Sequence, residues 1–297
     1  MKVALAIGLM AAMPAKAQND APTPPPTVLF VGNSFTFGAN SPVWHYRADS
    51  VTDLNHDGVG GVPALFRLFA AEAGLTYAVS LETSPGKTLQ WHWDNRKPVI
   101  DKRWDHVVMQ DYSTLDPAAP GNPRLLIDYS ARLAHLVIAR NPHAKISLTA
   151  TWSRPDQTYL KAGHWYGQPI AQMATDIAQA YAQAAKATPE IGKVHPVGAA
   201  FTCAITAGVA DPDPYDGIAF GQVDLWSWDH YHASTAGYYL EALVIFADVT
   251  GKDPRTLGAH ETAAQELGLS PQDAQRLQRV AATATAIPGK PCETLLN

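Results

Sequence analysis

The sequence predicts an α/β fold, a three-layer α/β/α sandwich around a mostly parallel sheet. Short apolar segments of strand length, such as 28–31, alternate with longer segments in which apolar residues recur at helical spacing, such as 123–142. Strands that are joined through helices run parallel, and a parallel sheet is covered by helices on both faces. The 297 residues are enough for one large domain of this kind.

The predicted elements follow the order strand, helix, strand, strand, helix, strand, helix, strand, helix. Gly74 and Gly251 end the first and last helices, and Asn141-Pro142 ends the second, because these residues favour helix termination. The ligand sites of such sheets lie in the loops beyond the carboxyl ends of the strands. The predicted segments are 28–31, 62–74, 76–83, 107–110, 123–142, 144–151, 168–188, 193–198 and 235–251.

The first 17 residues have the features of a signal peptide. Lys2 precedes an apolar run, 3–13, which is followed by Ala15-Lys16-Ala17, an A-x-A cleavage site. The run is too short to span a bilayer, so we expect a periplasmic or secreted protein with no membrane anchor after cleavage. The predicted organisation is signal peptide 1–17, proline-rich linker 18–27, main domain 28–250 and C-terminal helical extension 251–297 packed on that domain.

The charge distribution argues against nucleic acid as a partner. The net charge is −5, only 16% of residues are charged, and no basic run is present. The two cysteines, Cys203 and Cys292, have no C-x-x-C spacing, so a zinc site is not predicted. In an oxidising compartment they could form one bridge or remain two free thiols, and the sequence leaves both open.

Gly32-Asn33-Ser34 directly follows the first predicted strand, at the edge where ligands bind. The segment lacks the phosphate-loop and dinucleotide patterns, and it fails the G-x-S-x-G pattern because Thr36 stands where the second glycine is required. A serine nucleophile needs a base, and the base needs an orienting acid. Asp229 and His232, three residues apart before the last domain helix, can supply both, with His230 as the competing base.

These segments resemble sequence blocks of the GDSL/SGNH hydrolase superfamily. Gly32-Asn33-Ser34 is similar to its first block, and Asp229 with His232 to its final Asp-x-x-His. Gly86, after the second long strand, is similar to the glycine of the oxyanion hole. The third block, Gly-x-Asn-Asp, is replaced here by a segment in which Gln110, or less favourably Ser113 or Thr114, is the available side-chain donor.

The resemblance implies a flavodoxin-like sheet and an ester hydrolase that needs no metal or cofactor. In it Ser34 attacks the acyl carbonyl, His232 transfers the proton and Asp229 orients His232. The oxyanion would be held by Ser34, Gly86 and Gln110, at about 3 kcal/mol per donor. A glycan or small-molecule ester is the expected substrate. The alternatives are a general acyl or aryl esterase and a catalytically silent carbohydrate-binding protein.

Aromatic residues gather in the loops of the inferred active edge, where flat rings could stack on a sugar or aryl group. We expect substrate contacts from Asn33, Trp91, Trp152, Trp228 and Tyr231. A further segment, Asp53 to Gly58, matches the start of a calcium loop. Its twelfth position is Ala64 rather than glutamate, so an ordinary turn is the favoured interpretation.

Overall fold

The computed structural model describes residues 24–286, together with Ala4 and Cys292. Six strands form one sheet in the order β2-β3-β1-β4-β5-β6, and all neighbouring strands pair in parallel. The predicted α/β class is therefore confirmed. The strands are β1 (Thr27–Gly32), β2 (Thr52–Asp53), β3 (Ala78–Thr83), β4 (His106–Met109), β5 (Lys145–Thr149) and β6 (Ile191–His195).

Helices cover both faces of the sheet. Successive side chains of β1 alternate between two apolar cores: Val28 and Phe30 enter the core with α2, α7, α8 and α10, and Leu29 and Val31 the core with α3, α4 and α6. The helices are α1 (Ser34–Phe37), α2 (Gly61–Glu72), α3 (Leu89–Ile100), α4 (Arg124–Arg140), α5 (Pro155–Thr158), α6 (Ala171–Ala187), α7 (Val197–Thr206), α8 (Thr235–Thr250), α9 (Thr262–Glu266) and α10 (Pro271–Ala286).

Helix α3 interrupts the two strands that the sequence predicts as consecutive. Its sequence has no sustained apolar stripe and contains Pro98, so periodicity gives no helical signal. Tertiary contacts hold its first turn instead. Thr88 Oγ1 accepts a hydrogen bond from Trp91 N at 3.2 Å, and Asp111 Oδ1 accepts one from Leu89 N at 2.8 Å. The sequence predicts that β4 follows β3 with no helix between them. That prediction was wrong, because the contacts that hold α3 are tertiary.

Helix α7 was also missed, because its ten residues are almost all apolar and carry no charge, and it begins two residues after the end of β6. It carries Cys203, which is disulfide-bonded to Cys292 with a Cα–Cα distance of 5.1 Å. Helix α10 of the C-terminal extension packs against α7 and α8. Of the two possibilities that the sequence leaves open for the cysteines, the structure has the bridge.

The predicted signal peptide, apart from Ala4, lies outside the described residues. Within the described part of the chain, the helices are all too short or too polar to cross a membrane.

Candidate active site

Ser34 lies where β1 ends and begins the four-residue helix α1. Asn33 caps this helix, with Oδ1 accepting a hydrogen bond from Phe35 N at 3.2 Å. The first N–H groups of a helix have no partner within the helix, so the Ser34 N–H is a donor of the kind that an oxyanion needs. Ser34 is almost fully buried, with 6% of the residue exposed.

Asn33 and Gln110 join the ends of β1 and β4. Asn33 Nδ2 donates to Lys87 O at 2.9 Å and to Asp111 O at 3.3 Å. Gln110 Oε1 accepts from Asn33 N at 3.1 Å and from Thr36 Oγ1 at 3.2 Å, and Gln110 Nε2 donates to Asp111 O. Both side-chain amides are buried and engaged in the protein. Here they fix the turn that carries the serine, instead of presenting free groups to a substrate or an oxyanion as expected.

His232 and Asp229 form a hydrogen-bonded pair. His232 Nδ1 lies 2.6 Å from Asp229 Oδ2, and Asp229 Oδ1 accepts from His232 N at 3.0 Å and from Tyr231 N at 3.1 Å. The ring of the competing base, His230, packs against Tyr215 with a centroid distance of 4.3 Å. The structure thus pairs His232, and not His230, with the carboxylate.

Asn40 is a third member of this pair that sequence reasoning missed. Its Nδ2 lies 2.7 Å from Asp229 Oδ2 and 3.3 Å from His232 Nδ1, so it donates to the carboxylate from the loop that follows the serine. Asn40 has φ of 58°, a left-handed conformation that asparagine tolerates better than most residues. The sequence offers one hint of this role, namely that an asparagine follows Ser34 by six residues.

The hydrogen bonds around Asp229 keep it ionised. Burial alone would raise its pKa, but the bonds from the His232 ring and from the backbone N–H groups of His232 and Tyr231 outweigh burial. The pKa of Asp229 therefore lies well below its ordinary value. The negative charge of Asp229 lies beside His232 Nδ1 and favours a proton on that nitrogen. Nε2, the other nitrogen of the ring, is then free to accept a proton.

The serine and the histidine belong to segments that pack together. Tyr238 of α8 donates from its hydroxyl to Ser34 O and Ala39 O, both at 3.2 Å, and the Phe35 and His232 rings are 5.7 Å apart. His232 Nε2 is buried and has no hydrogen-bond partner within the described part of the chain. Bonds between nucleophile and base are often long without substrate and shorten when it binds.

Gly86 lies in the loop after β3 with φ of 66°, exposed and with open space where a Cβ would stand. Of the alternative donors, Ser113 accepts a hydrogen bond from Arg154 Nη1 at 2.9 Å. Thr114 contacts only a nearby backbone oxygen, Asp116 O, at 3.4 Å. Gly86 and Ser34 thus keep free backbone positions for an oxyanion, whereas the predicted side-chain donors are engaged in the protein.

The predicted aromatic contacts differ in their exposure. Trp152 is fully buried, stacked between Phe35 at 4.1 Å and Phe201 at 4.9 Å, so the expectation that it contacts substrate is corrected. Trp228 is 78% exposed beside Asp229. Tyr231 is half-buried, 4.1 Å from the His232 ring. Trp91 is half-buried on α3.

A polar cavity of about 390 Å³ lies between the loop after β4 and the loop after β5. The Arg154 guanidinium borders it, held by Asp156 at 2.6 Å and stacked 3.5 Å from the Tyr231 ring centroid. Tyr231 in turn contacts His232, so the Tyr231 ring lies between the Arg154 guanidinium and the candidate catalytic pair. The lining residues of the cavity are Tyr112, Thr114, Pro117, Pro120, Arg154, Gln157, Ala162 and His164.

A second Ser-His-Asp chain is present elsewhere in the fold. Ser147 Oγ lies 2.8 Å from His195 Nε2, and His195 Nδ1 lies 3.0 Å from Asp248 Oδ2, beside a cavity of about 330 Å³. His106 and Lys145, which begin β4 and β5, line the same cavity, so it opens at the amino-terminal edge of the sheet. Strand β5 is paired on both sides, and its backbone N–H groups are therefore not available as oxyanion donors.

The segment that resembles a calcium loop folds as a turn. Asp53 Oδ2 accepts from Asp57 N at 2.8 Å and from Val59 N at 3.2 Å, and Arg96 donates to the Asn55 side chain. The Asn55 oxygen, which would have to bind the metal ion, therefore accepts a hydrogen bond from a guanidinium instead. Across residues 24–286 no group of three or more His, Cys, Asp or Glu side chains is arranged to hold a metal ion.

A buried polar cluster lies behind the site. Glu82 of β3 contacts His92 Nδ1 and, at 3.0 Å, Arg96 Nε, and both Glu82 and His92 are fully buried. Asp111, also fully buried, accepts from Leu89 N, and its backbone N–H donates to the Tyr181 hydroxyl at 3.0 Å. Burial raises the pKa of Asp111 to about 6.

Comparison with solved structures identifies the architecture. A DUF4886 family protein from Bacteroides uniformis superposes with a TM-score of 0.65 at 19% identity, covering 91% of this chain and 98% of that one. A protein described as a GDSL-like lipase from Parabacteroides merdae superposes with a TM-score of 0.51 at 17% identity, covering 76% and 95%. The chain has the GDSL/SGNH hydrolase fold. Comparisons of the sequence with family models and with curated proteins gave no match.

Proposed function

We propose that this protein is an exported serine hydrolase that cleaves carboxylic esters through Ser34, His232 and Asp229. The observation that carries the proposal is the Asp229–His232 hydrogen bond of 2.6 Å, with His232 Nε2 unpartnered within the described residues. A base with one nitrogen held by a carboxylate and the other free can take the proton of a serine hydroxyl.

In the proposed mechanism Ser34 Oγ attacks the acyl carbon while its proton passes to His232 Nε2. The resulting imidazolium lies against the ionised Asp229, which stabilises its positive charge. The backbone N–H groups of Ser34 and Gly86 are the proposed donors to the oxyanion. His232 then protonates the departing alcohol, and a water molecule, activated by the same histidine, hydrolyses the acyl-enzyme.

The proposed substrate is a carbohydrate that carries O-acetyl or other short acyl groups. The cavity beside Arg154 supports this, since its lining of guanidinium, amide, imidazole and hydroxyl groups matches sugar hydroxyls better than an acyl chain. A volume of about 390 Å³ is in the range of small-molecule sites. A general esterase of small acyl or aryl esters shares the same chemistry and differs only in what this cavity accepts.

The test is turnover of p-nitrophenyl acetate, followed by acetate release from acetylated sugars. We expect Ser34→Ala to lower kcat at least about a thousandfold. His232→Ala should do the same, whereas His230→Ala should retain activity. A Ser34→Ala protein as active as wild type would refute the proposal.

The second Ser-His-Asp chain offers a matched control. Ser147→Ala removes a serine whose Oγ lies 2.8 Å from His195 Nε2, yet we expect full turnover. A fluorophosphonate probe should label Ser34 and leave Ser147 unlabelled. Labelling at Ser147 that persists in the Ser34→Ala variant would indicate that Ser147, at the other edge of the sheet, is the nucleophile.

A further inference from the structure

The exposed large apolar side chains of residues 24–286 are confined to three loops, 159–166, 212–220 and 227–232. Such residues are common singly on protein surfaces, but a contiguous group usually marks a binding surface. We call this group the aromatic rim. Its members are Leu160, Tyr166, Tyr215, Ile218, Phe220 and Trp228.

Direct contacts join the three loops. The Tyr159 hydroxyl donates to Pro212 O at 2.9 Å, and the Tyr159 and Tyr215 rings pack edge to face at 6.1 Å. Tyr215 also packs against His230 at 4.3 Å, and Asp156 N donates to His230 O at 3.3 Å. The aromatic rim is therefore continuous with the loop that carries the candidate catalytic pair.

Trp228 stands at the corner of a tight turn in that loop. His230 N donates to Ser227 O and Ser227 N donates to His232 O, both at 2.8 Å, so the turn is closed from both sides. The indole is 78% exposed and belongs to the residue before Asp229. An exposed indole on a hydrogen-bonded turn offers a flat apolar face at little cost in conformational entropy.

The charges around the aromatic rim are mainly negative. The pKa of Tyr159 is raised to about 12, mainly by burial. The nearby carboxylates of Asp213, Asp216 and Asp211 raise it further. Lys161 is the one lysine or arginine in the sequence of these three loops, and Arg154, which precedes the first of them, is paired with Asp156. Such a surface repels an anionic membrane or an anionic polymer, whereas its carboxylates can accept hydrogen bonds from neutral hydroxyl groups.

We propose that the aromatic rim binds a neutral polysaccharide chain and holds it across the mouth of the candidate active site. Flat rings can stack on the apolar faces of sugar rings, and the interspersed carboxylates can bind their hydroxyl groups. This inference rests on the proposed function, and it names the substrate as a polymer instead of a free sugar ester.

The experiment measures binding in a Ser34→Ala background, so that the polymer is not altered. Affinity electrophoresis would use a panel of neutral polysaccharides, namely acetylated xylan, acetylated glucomannan, cellulose derivatives and chitin oligomers. We expect binding to at least one member and a loss of affinity of about tenfold or more on adding Tyr215→Ala and Trp228→Ala together. Tyr129→Ala, a half-exposed tyrosine on α4, is the matched control and should bind as the parent does.

Three outcomes would overturn the inference: no binding to any member of the panel, equal binding by the rim variant, or a dimer that the rim substitutions convert to a monomer. Binding of the parent to anionic phosphatidylglycerol vesicles through the same residues would also overturn it. Thermal unfolding of each variant shows whether it is folded. Because binding is measured without Ser34, failure of the proposed nucleophile appears separately, as p-nitrophenyl acetate turnover that survives Ser34→Ala.

Discussion

Asp111 gives the sharpest quantitative test of the site's electrostatics. The carboxyl is fully buried beside the candidate active site, and burial raises its pKa from 3.8 to about 6. At about 1.4 kcal/mol per pH unit, this rise corresponds to roughly 3 kcal/mol. The folded state therefore binds the proton more tightly than the unfolded state. The stability from this group is full below about pH 3.8 and is lost as the pH rises through about 6.

Asp111→Asn should remove this loss. The amide oxygen can still accept the hydrogen bond from Leu89 N, and the side chain no longer ionises. We expect the free energy of unfolding of wild type to fall by roughly 2.4 kcal/mol more than that of the variant between pH 4 and about 7.5, since part of the 3 kcal/mol is already lost at pH 4. Urea unfolding at a series of pH values measures it, and the difference between the two curves cancels the groups that titrate in both proteins.

Asp94→Asn is the matched control, because Asp94 is exposed on α3 and loses the same charge in water. Parallel curves for wild type and Asp111→Asn from pH 4 to 7.5 would refute the reasoning, since they would mean that the buried carboxyl does not change its charge.

Three further predictions concern the candidate acid and the parts of the fold around it. Asp229→Asn should lower kcat for p-nitrophenyl acetate by about 10³–10⁴-fold with little change in thermal stability, because the ring loses its ionised partner. Asp248→Ala should lower the free energy of unfolding in urea by about 3 kcal/mol, because His195 is buried, while leaving turnover unchanged. Reducing the Cys203–Cys292 bridge, which spans 89 positions, should lower stability by about 4 kcal/mol, measured as a lower Tm with dithiothreitol.

The sheet could be predicted because its strands are buried on both faces and are therefore continuously apolar. Val28 to Val31 shows this, since its side chains enter two cores. Helix α3 could not be predicted, because what holds it is distant in sequence: the carboxylate that caps it, Asp111, lies 22 residues beyond Leu89. Helix α7 could not be predicted for another reason, since its ten residues include no charged side chain that would mark a solvent-facing side.

The candidate site likewise contains some residues that the sequence indicates and others that it does not. Ser34, Asp229 and His232 could be named as candidates because Ser34 closely follows β1 and the other two lie in the loop before α8, where short motifs are visible in sequence. Asn40 could not, because its contact with Asp229 crosses 189 positions and depends on a left-handed backbone conformation. For Trp152 the sequence was misleading. A tryptophan just beyond a strand is expected in an exposed loop, yet this ring is buried between the rings of Phe35 and Phe201.

The two Ser-His-Asp chains show why hydrogen-bond distances alone do not define a nucleophile. Ser147 Oγ lies 2.8 Å from His195 Nε2, but Ser147 lies within a strand whose neighbours use its backbone donors. Ser34 lies at the start of a helix, where N–H groups have no partner, and at the strand edge where loops can admit a substrate. Developing charge on an acyl oxygen needs donors as much as the serine needs a base, and of these two serines Ser34 is the one that begins a helix, where such donors are available.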